Sequence, residues 1–144
     1  MNETQTIRLL GPGDTAVLGN VAEDVFDEDI NPRWAAEFLN DPRHHIVVAL
    51  LGNQVIGMAS AVHYVHPDKS PELWVNEIGV SPAYRQRGIG KQLIAALFSR
   101  GRELGCKEAW LGTEESNTAA RRLYASVGGV AQPMVYFTFD LDRL

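Results

Sequence analysis

Apolar residues are concentrated in three segments in the middle of the chain. The runs at 45–51, 54–65 and 73–80 predict β-strands, and the Gly-Asn pair between the first two is typical of a hairpin turn. A shorter run at 6–10 predicts an earlier strand, which ends at a Gly-Pro-Gly segment. The middle of the chain is therefore expected to build an antiparallel sheet.

Before the hairpin, the chain has apolar residues at helical spacing. Asp14 is a capping residue for a predicted helix that starts at Thr15 and carries apolar residues at helical spacing as far as Val25. Asn31 followed by Pro32 has the cap and first-turn residue of a second helix. Two helices are therefore predicted between the first strand and the hairpin.

After the hairpin and the strand at 73–80, helices and strands alternate. A long helix is predicted from about Gly88 to Leu104, then a strand at 107–112, a helix capped by Asn117 and a final aromatic-rich strand at 134–141. This order predicts a mixed sheet with helices on both faces. No repeat or linker interrupts the pattern, so we predict one domain covering the whole chain.

Composition narrows the classes of function. The formal net charge is -5, which disfavours nucleic acid as a partner because phosphate binding needs a basic face, but it suits a cationic small molecule. No apolar run approaches the roughly 20 residues of a membrane span, and the N-terminus has no secretory signal pattern. The single cysteine, Cys106, allows no internal disulfide, so we expect a cytoplasmic protein without membrane contact.

One segment has the make-up of a diphosphate site. It lies where a strand leads into the long helix, so free backbone N–H groups and the positive end of the helix dipole coincide. Glycines let the backbone approach a ligand, and basic side chains add positive charge. The segment consists of Arg85, Gln86, Arg87, Gly88, Ile89, Gly90 and Lys91.

Two common phosphate motifs are excluded at this segment. The dinucleotide fingerprint needs a third glycine where Leu93 stands, and the P-loop needs Ser or Thr where Gln92 stands. A glycine-rich helix start with solvated arginines remains the alternative explanation.

The surrounding motifs resemble those of the GNAT acyltransferase superfamily. The pattern R-x-x-G-x-G at 85–90 follows N-E-I-G-V at 76–80 and precedes an amphipathic helix, as the Gln/Arg-x-x-Gly-x-Gly/Ala signature does in that family. Asn117, with Tyr124 seven residues later and glycines at 128–129, resembles a second family motif. The start and the end of the chain look like the small aminoglycoside 3-N-acetyltransferases.

The resemblance implies an α/β (α+β) fold of GNAT type, with a mixed, mostly antiparallel sheet flanked by helices. Two parallel strands, 73–80 and 107–112, are expected to splay apart and hold acetyl-CoA between them. The first strand would pair with the pantetheine arm, and the segment 85–91 would hold the pyrophosphate. The implied cofactor contacts are Ile78, Gly79, Val80, the segment 85–91, Asn117, Ala120 and Tyr124.

Two residues are candidates for acid–base chemistry. Attack on a thioester needs a neutral amine, whereas a lysine-like amine has a pKa of about 10.4. Glu77 resembles the carboxylate, an Asp, that small aminoglycoside enzymes carry at this place, and we expect it to act as general base, directly or through water. Strict alternation puts Glu77 on the same face as Val75, and a β-bulge would change this. Tyr124 is the candidate acid for the departing thiolate. The alternatives are a solvated strand carboxylate and a core tyrosine.

Acidic residues are concentrated between the first two predicted helices, where five fall within 23–29. Such a run is usually a solvated face, but in the resembling family this region lines the acceptor site. The predicted acceptor-binding residues are Asp27, Glu28, Asp29, Glu77, Glu114, Glu115 and Asp140. The four histidines have no metal-ligand spacing, so no metal is expected.

The resemblance therefore implies acetyl transfer from acetyl-CoA to a primary amine of a small cationic molecule, with an aminoglycoside as the leading acceptor. A peptide or protein amine, a polyamine and charged tRNA remain alternatives within the same fold. A non-catalytic acyl-CoA sensor is an alternative of another class, which the presence of both Glu77 and Tyr124 disfavours. Because dimers are common in this family, a homodimer that shares the final strand is a further expectation.

Overall fold

The computed structural model of the protein describes residues 4–144. The chain forms two compact units, the first ending at Gly112 and the second running from Thr113 to Leu144. The first unit contains the whole sheet, and the second contains one α-helix and the C-terminal segment.

Within residues 4–144, five strands form the sheet, and their spatial order is their order along the chain. They are β1 (Gln5–Leu9), β2 (His44–Leu51), β3 (Gln54–Tyr64), β4 (Glu72–Val80) and β5 (Ala109–Trp110). Strands β1 to β4 pair antiparallel, while β5 pairs parallel with β4. This architecture confirms the expected mixed, mostly antiparallel sheet.

The described part of the chain also contains three α-helices. They are α1 (Pro32–Asn40), α2 (Ile89–Glu103) and α3 (Thr118–Ser126). The Asn31 side chain accepts hydrogen bonds from the first backbone N–H groups of α1, and the Asn117 side chain does the same for α3. Both predicted caps are confirmed. No helix within residues 4–144 is long and apolar enough to cross a bilayer.

Apolar side chains pack on both faces of the sheet. On one face, a cluster joins Ile46 of β2 to Leu39 of α1. On the other face, Val47 and Ile56 pack against Leu93 of α2. Neighbouring residues of a strand point to opposite faces of the sheet. Both faces of β2 are covered, so this strand is apolar almost throughout.

The predicted helix from Thr15 to Val25 is wrong. The structure has a short 3-10 helix at Thr15–Gly19, and an irregular loop follows as far as α1. Asp14 makes no capping hydrogen bond; its carboxylate accepts the backbone N–H of Gly11 at 2.8 Å instead. After Gly19 the chain pairs with Val55 of β3, so tertiary pairing replaces the helical hydrogen bonds.

Two strand predictions near the C-terminus also need correction. The strand predicted at 107–112 is reduced to the two residues of β5. The strand predicted at 134–141 does not form; a 3-10 turn at Leu141–Arg143 follows an irregular segment. A strand requires a neighbour for its backbone hydrogen bonds, and the five-stranded sheet of the described residues provides none for this segment.

Candidate active site

A β-bulge in β4 determines where Glu77 points. Ser60 of β3 pairs with Glu77, whereas Ala61 pairs with Val75, so Asn76 is the extra residue. Val75 therefore packs in the cluster against α2, while Glu77 lies on the α1 side of the sheet. Strict alternation would have put both residues on one face, and the bulge separates them.

Glu77 lines a pocket of about 210 Å³ on the α1 side of the sheet. The walls of this acceptor pocket, as we call it, are mostly apolar and include Leu18, Phe26, Ile30, Trp34, Phe38 and Ile46. The polar residues that line it are Asp29, Asn31, Ser60 and Glu77. A mostly apolar cleft that contains the carboxylates of Glu77 and Asp29 is a suitable place to hold and deprotonate an amine.

The Glu77 carboxylate is held by the loop before α1. The backbone N–H of Asp27 donates a hydrogen bond to Oε2 of Glu77 across 3.0 Å. Burial raises the pKa of Glu77 and the nearby Asp27 carboxylate adds to the rise, while the hydrogen bond from the Asp27 N–H opposes it. The net pKa lies above the ordinary value, which is the direction a general base at neutral pH requires.

The same loop lies directly on β4 at Gly79. A Cβ added to Gly79 would lie 2.0 Å from the carbonyl oxygen of Val25, so only glycine permits this approach. The loop turns at Asp24, whose φ is +58°. Backbone contact and the Asp27 hydrogen bond together place the loop over Glu77.

The predicted acidic acceptor residues of this loop have different positions. Asp29 lines the acceptor pocket beside Glu77. Asp27 reaches Glu77 through its main chain, and Glu28 is exposed and does not line the pocket. Only part of the acidic run therefore adjoins the candidate base.

The segment 85–91 forms a cradle of free amides. Gln86 and Gly88 both have left-handed backbones, with φ of +62° and +78°, and α2 begins at the next residue, Ile89. Within the described part of the chain, the N–H groups of residues 86–91 donate to no protein acceptor. A Cβ placed on Gly88 would meet open space. The geometry suits a ligand with several anionic oxygens.

Three basic side chains surround this cradle. Nε of Arg85 donates to the Val80 carbonyl at 3.0 Å, so this side chain is turned back toward β4. The guanidinium of Arg87 lies 5.4 Å from the ring centre of Tyr84, and Lys91 is exposed on the first turn of α2. The charge at the cradle is therefore positive although the whole chain is acidic.

The two parallel strands separate after a short contact. Pairing between β4 and β5 is restricted to Leu73 with Ala109 and Trp74 with Trp110, and the two indole rings stack at 5.4 Å. Beyond Trp74, residues 75–80 have no strand partner on this edge among the residues described. This open edge contains Ile78, Gly79 and Val80, as expected for a strand that pairs with an extended ligand.

The remaining predicted site residues belong to the second unit. The Asn117 side chain is used as the cap of α3, where it accepts the Ala120 N–H at 3.1 Å. Tyr124 lies on the same helix, and burial raises its pKa. Three predicted acceptor residues, Glu114, Glu115 and Asp140, are exposed. Their predicted roles remain predictions.

Sequence reasoning missed the Ser60 hydroxyl and the apolar walls of the acceptor pocket. Phe26 and Ile30 fall within or beside the acidic run, which drew attention to its charges rather than to its apolar residues. Ser60 could have been identified as a small polar residue in strand β3, which is otherwise mostly apolar. Among the residues described, no group of three His, Cys, Asp or Glu side chains could hold a metal ion.

Comparison with known proteins gives a family match over most of the chain. A sequence model of the Acetyltransferase (GNAT) family matches residues 16–128. The aminoglycoside N(6')-acetyltransferase type 1 of Salmonella typhimurium is 36% identical over 85 residues, which are 56% of this chain and 59% of that protein. The aligned part thus spans less than two thirds of that relative's length.

A second relative aligns over more of the chain. The N-alpha-acetyltransferase RimI of Mycobacterium tuberculosis is 37% identical over 132 residues, which are 88% of this chain and 78% of that protein. Among solved structures, the aminoglycoside acetyltransferase AAC(6')-Iy in complex with the bisubstrate analogue CoA-S-monomethyl-acetylneamine superposes with a TM-score of 0.78. It is 26% identical, and the match covers 95% of this chain and 98% of that one.

Proposed function

Because this chain belongs to the GNAT acetyltransferase family, we propose that it transfers an acetyl group from acetyl-CoA to a primary amine in a ternary complex. The observation that carries the proposal is the position of Glu77, which lines an amine-sized pocket on β4. The same strand has an open edge toward β5 and leads into the cradle of free amides. Strand β4 thus carries both the proposed base and the backbone groups proposed to bind the coenzyme.

The coenzyme contacts follow from the free backbone groups. The amides of 86–91, with Arg85, Arg87 and Lys91, hold the pyrophosphate, and the open edge at Ile78, Gly79 and Val80 pairs with the pantetheine arm. The similar structure of AAC(6')-Iy with a CoA-containing analogue supports this assignment. Asn117, Ala120 and Tyr124 of the second unit are assigned to the coenzyme by resemblance.

Acetyl-CoA supplies a thioester whose carbonyl carbon accepts the amine. Glu77 takes the proton that the nitrogen loses as the C–N bond forms and the C–S bond breaks. The Val80 N–H is the proposed donor to the carbonyl oxygen as negative charge develops on it. Tyr124 is the proposed hydrogen-bond donor to the departing thiolate, which ends as the free thiol.

The leading acceptor is a small cationic amine, an aminoglycoside. The similarity to the Salmonella enzyme and to AAC(6')-Iy supports it, as do Asp29 beside Glu77 and the net charge of -5. Both names specify the 6' position, whereas the sequence resemblance pointed to 3-N enzymes. We therefore propose 6'-type regiochemistry for an aminoglycoside acceptor.

A peptide N-terminus is the second candidate acceptor. The acceptor pocket is mostly apolar, with Phe26, Trp34 and Phe38 among its walls, and suits an amine next to an apolar side chain. The longer alignment with RimI favours the same acceptor class. Neither candidate requires nucleic acid, a metal or a membrane.

The organisation of the protein is a further part of the proposal. One functional domain is supported by the family match, which runs continuously from residue 16 to residue 128. A cytoplasmic location is supported by the lone cysteine, Cys106, which is free. Dimerisation is supported by the exposed apolar side chains of the C-terminal segment.

The decisive experiment measures release of free CoA thiol from acetyl-CoA in the presence of neamine or of a short peptide with N-terminal alanine. We expect turnover with one acceptor by the wild-type protein and loss of turnover in Glu77→Gln with retained CoA binding. Mass spectrometry and NMR of the product identify the acetylated nitrogen. Absence of CoA binding in calorimetry would reject the proposed function.

A further inference from the structure

Three cross-strand partners form a row on the floor of the acceptor pocket. Ile46 of β2 pairs with Ser60 of β3, and Ser60 pairs with Glu77 of β4. All three residues line the acceptor pocket. Directly opposed residues of neighbouring strands point to the same face, so the Ser60 hydroxyl and the Glu77 carboxylate share this floor.

The Ser60 hydroxyl has no structural use that explains it. The residue is 7% exposed, and no side-chain hydrogen bond to Ser60 occurs within residues 4–144. Apart from Glu77, its neighbours on this face include the apolar residues Ile46 and Met58. The Ser60 hydroxyl oxygen is not fully buried, because the residue lines the acceptor pocket, so a molecule in the pocket can bond to it. The hydroxyl therefore indicates a partner that enters from the pocket.

The spacing of the two side chains indicates what that partner is. Directly opposed residues have Cβ atoms about 5 Å apart, so a hydroxyl and a carboxylate at these two positions can reach the same water molecule. A water there has the polar partners that a polar cavity must supply. Of the three residues in the row, only Glu77 has a side-chain hydrogen bond to another part of the protein, in which its Oε2 accepts the backbone N–H of Asp27.

We propose that Ser60 is a positioning residue for the base: its hydroxyl and the Glu77 carboxylate hold the water that carries the proton of the acceptor amine to Glu77. This inference rests on the proposed acetyl transfer and names a residue that the transfer depends on. The amine nitrogen forms the C–N bond as the C–S bond breaks. The nitrogen then gives one proton to the water, and the water gives one to Glu77. The thiolate leaves with the coenzyme and takes up one proton from solvent, and Glu77 returns its proton to solvent, so a neutral amine and a thioester give one amide and one free thiol.

Ser60→Ala is the variant that tests this role. We expect kcat to fall about tenfold, which is the loss typical of one hydrogen bond in a transition state. The CoA dissociation constant should stay unchanged, and the unfolding temperature should stay unchanged or rise. Removal of a hydroxyl near the carboxylate also shifts the acid limb of the pH–rate profile to higher pH. Ser60→Thr keeps the hydroxyl and restores most of kcat.

Ser99→Ala is the matched control, because Ser99 is an exposed serine of α2 outside the pocket. It should match the wild-type kcat and pH profile. The assay uses whichever of neamine and the alanine peptide the wild-type protein acetylates.

Wild-type kcat and an unmoved acid limb in Ser60→Ala, with Glu77→Gln inactive, would reject the role of Ser60 and leave the proposed function intact. A lower kcat together with a lower unfolding temperature and an unmoved acid limb would also reject it, since a packing defect has that signature. A wild-type protein that binds no CoA would reject both.

Discussion

The backbone N–H of Asp27 lies 3.0 Å from Oε2 of Glu77, and its hydrogen bond joins the loop before α1 to the proposed base on β4. The bond favours the ionised carboxylate, whereas burial and the Asp27 side chain favour the protonated form. The strength of the base is therefore set by the position of this loop.

Glu77→Gln is expected to lower kcat at least about a hundredfold, the lower end of what a general base contributes. In the wild-type protein, the acid limb of kcat/KM should lie above the ordinary carboxyl pKa of about 4.5, because burial raises the pKa of Glu77. The measurement is steady-state thiol release over a pH series. The control is Glu37→Gln, an exposed carboxylate of α1 outside the acceptor pocket. Retained activity in Glu77→Gln would remove Glu77 from the mechanism.

The raised pKa of Glu77 also has a consequence for stability. The pKa of Glu77 is higher in the folded protein than in the unfolded chain. At pH values between the two, the folded protein keeps a proton on Glu77 that the unfolded chain has lost, so ionisation of Glu77 at higher pH destabilises the fold. Glu77→Gln should therefore unfold at the same or a higher urea concentration than the wild-type protein near neutral pH. A lower midpoint would show that the carboxylate stabilises the fold and would contradict this prediction.

Gly79→Ala is expected to displace the loop before α1. The new Cβ would meet the Val25 carbonyl at 2.0 Å, and backbone cannot yield as a flexible side chain can. The cost should be about 1–3 kcal/mol of unfolding free energy, as for overpacked interiors. KM for the acceptor should rise more than KM for acetyl-CoA, because this loop borders the acceptor pocket. Gly19→Ala, where a Cβ meets nothing within 4 Å, is the matched control. Equal effects of both variants would contradict the prediction.

The sequence predicted those parts of the fold in which local pattern and tertiary environment agree. The caps at Asn31 and Asn117 could be read directly, because a capping side chain bonds to backbone only two or three residues away. The cradle before α2 could also be read, because glycines and basic residues surround a helix start. The position of Glu77 depended on a bulge at Asn76, which alternation alone does not specify.

Other features depend on distant partners and were not predictable locally. The segment after Gly19 pairs with Val55 rather than continuing the 3-10 turn, although its apolar spacing is helical. The aromatic segment near the C-terminus has a strand pattern but no strand neighbour among the residues described. In both cases the local structure depends on whether the backbone finds a hydrogen-bond partner that is distant in sequence.

Gly88→Glu is expected to abolish measurable CoA binding. Gly88 has a φ of +78°, and its side-chain position faces open space at the start of α2, so a carboxylate there would repel the pyrophosphate. The matched control is Gly105→Glu at the other end of the helix, with a φ of +85° and equally open space. Both variants have similar backbone strain and the same added charge, so unfolding temperatures should fall alike. Calorimetric CoA affinity in Gly88→Glu equal to that in Gly105→Glu would contradict the cradle assignment.

His45 should make the fold acid-sensitive. It is 4% exposed, and its Nε2 lies 2.7 Å from Nδ1 of His63. Burial, followed by the charges of His63 and Arg100, lowers the pKa of His45 from 6.5 to about 4. The unfolded chain therefore binds a proton that the folded state excludes, and stability is lost as pH falls from about 6.5 to about 4, by about 3 kcal/mol for this group.

The check compares urea unfolding of wild type and His45→Gln near pH 7.5 and near pH 5, where the difference between the two proteins isolates this group. His45→Gln should lose less stability on acidification. The titratable or charged groups around His45 are His44, His63, Arg100 and Asp41. His66→Gln, which alters a histidine paired with Glu72 instead, is the control for loss of a histidine elsewhere in the chain. Parallel curves for wild type and His45→Gln would refute the prediction.

The C-terminal segment should mediate association between two copies of the chain. The segment has many exposed apolar side chains, and those of Val135, Phe137, Phe139 and Leu141 are each at least 70% exposed. Exposed apolar side chains in this density are typical of an interface. Sedimentation velocity over the micromolar range should show a dimer for the wild-type protein.

The double variant Phe137→Asp, Phe139→Asp should be monomeric, because it replaces two exposed aromatic side chains with charges. Thr138→Asp adds a charge to the same segment but keeps every apolar side chain, and it should remain dimeric. A monomeric wild-type protein at every concentration would refute the interface. Dissociation by Thr138→Asp as complete as by the double variant would show that charge, and not loss of the apolar side chains, breaks the dimer.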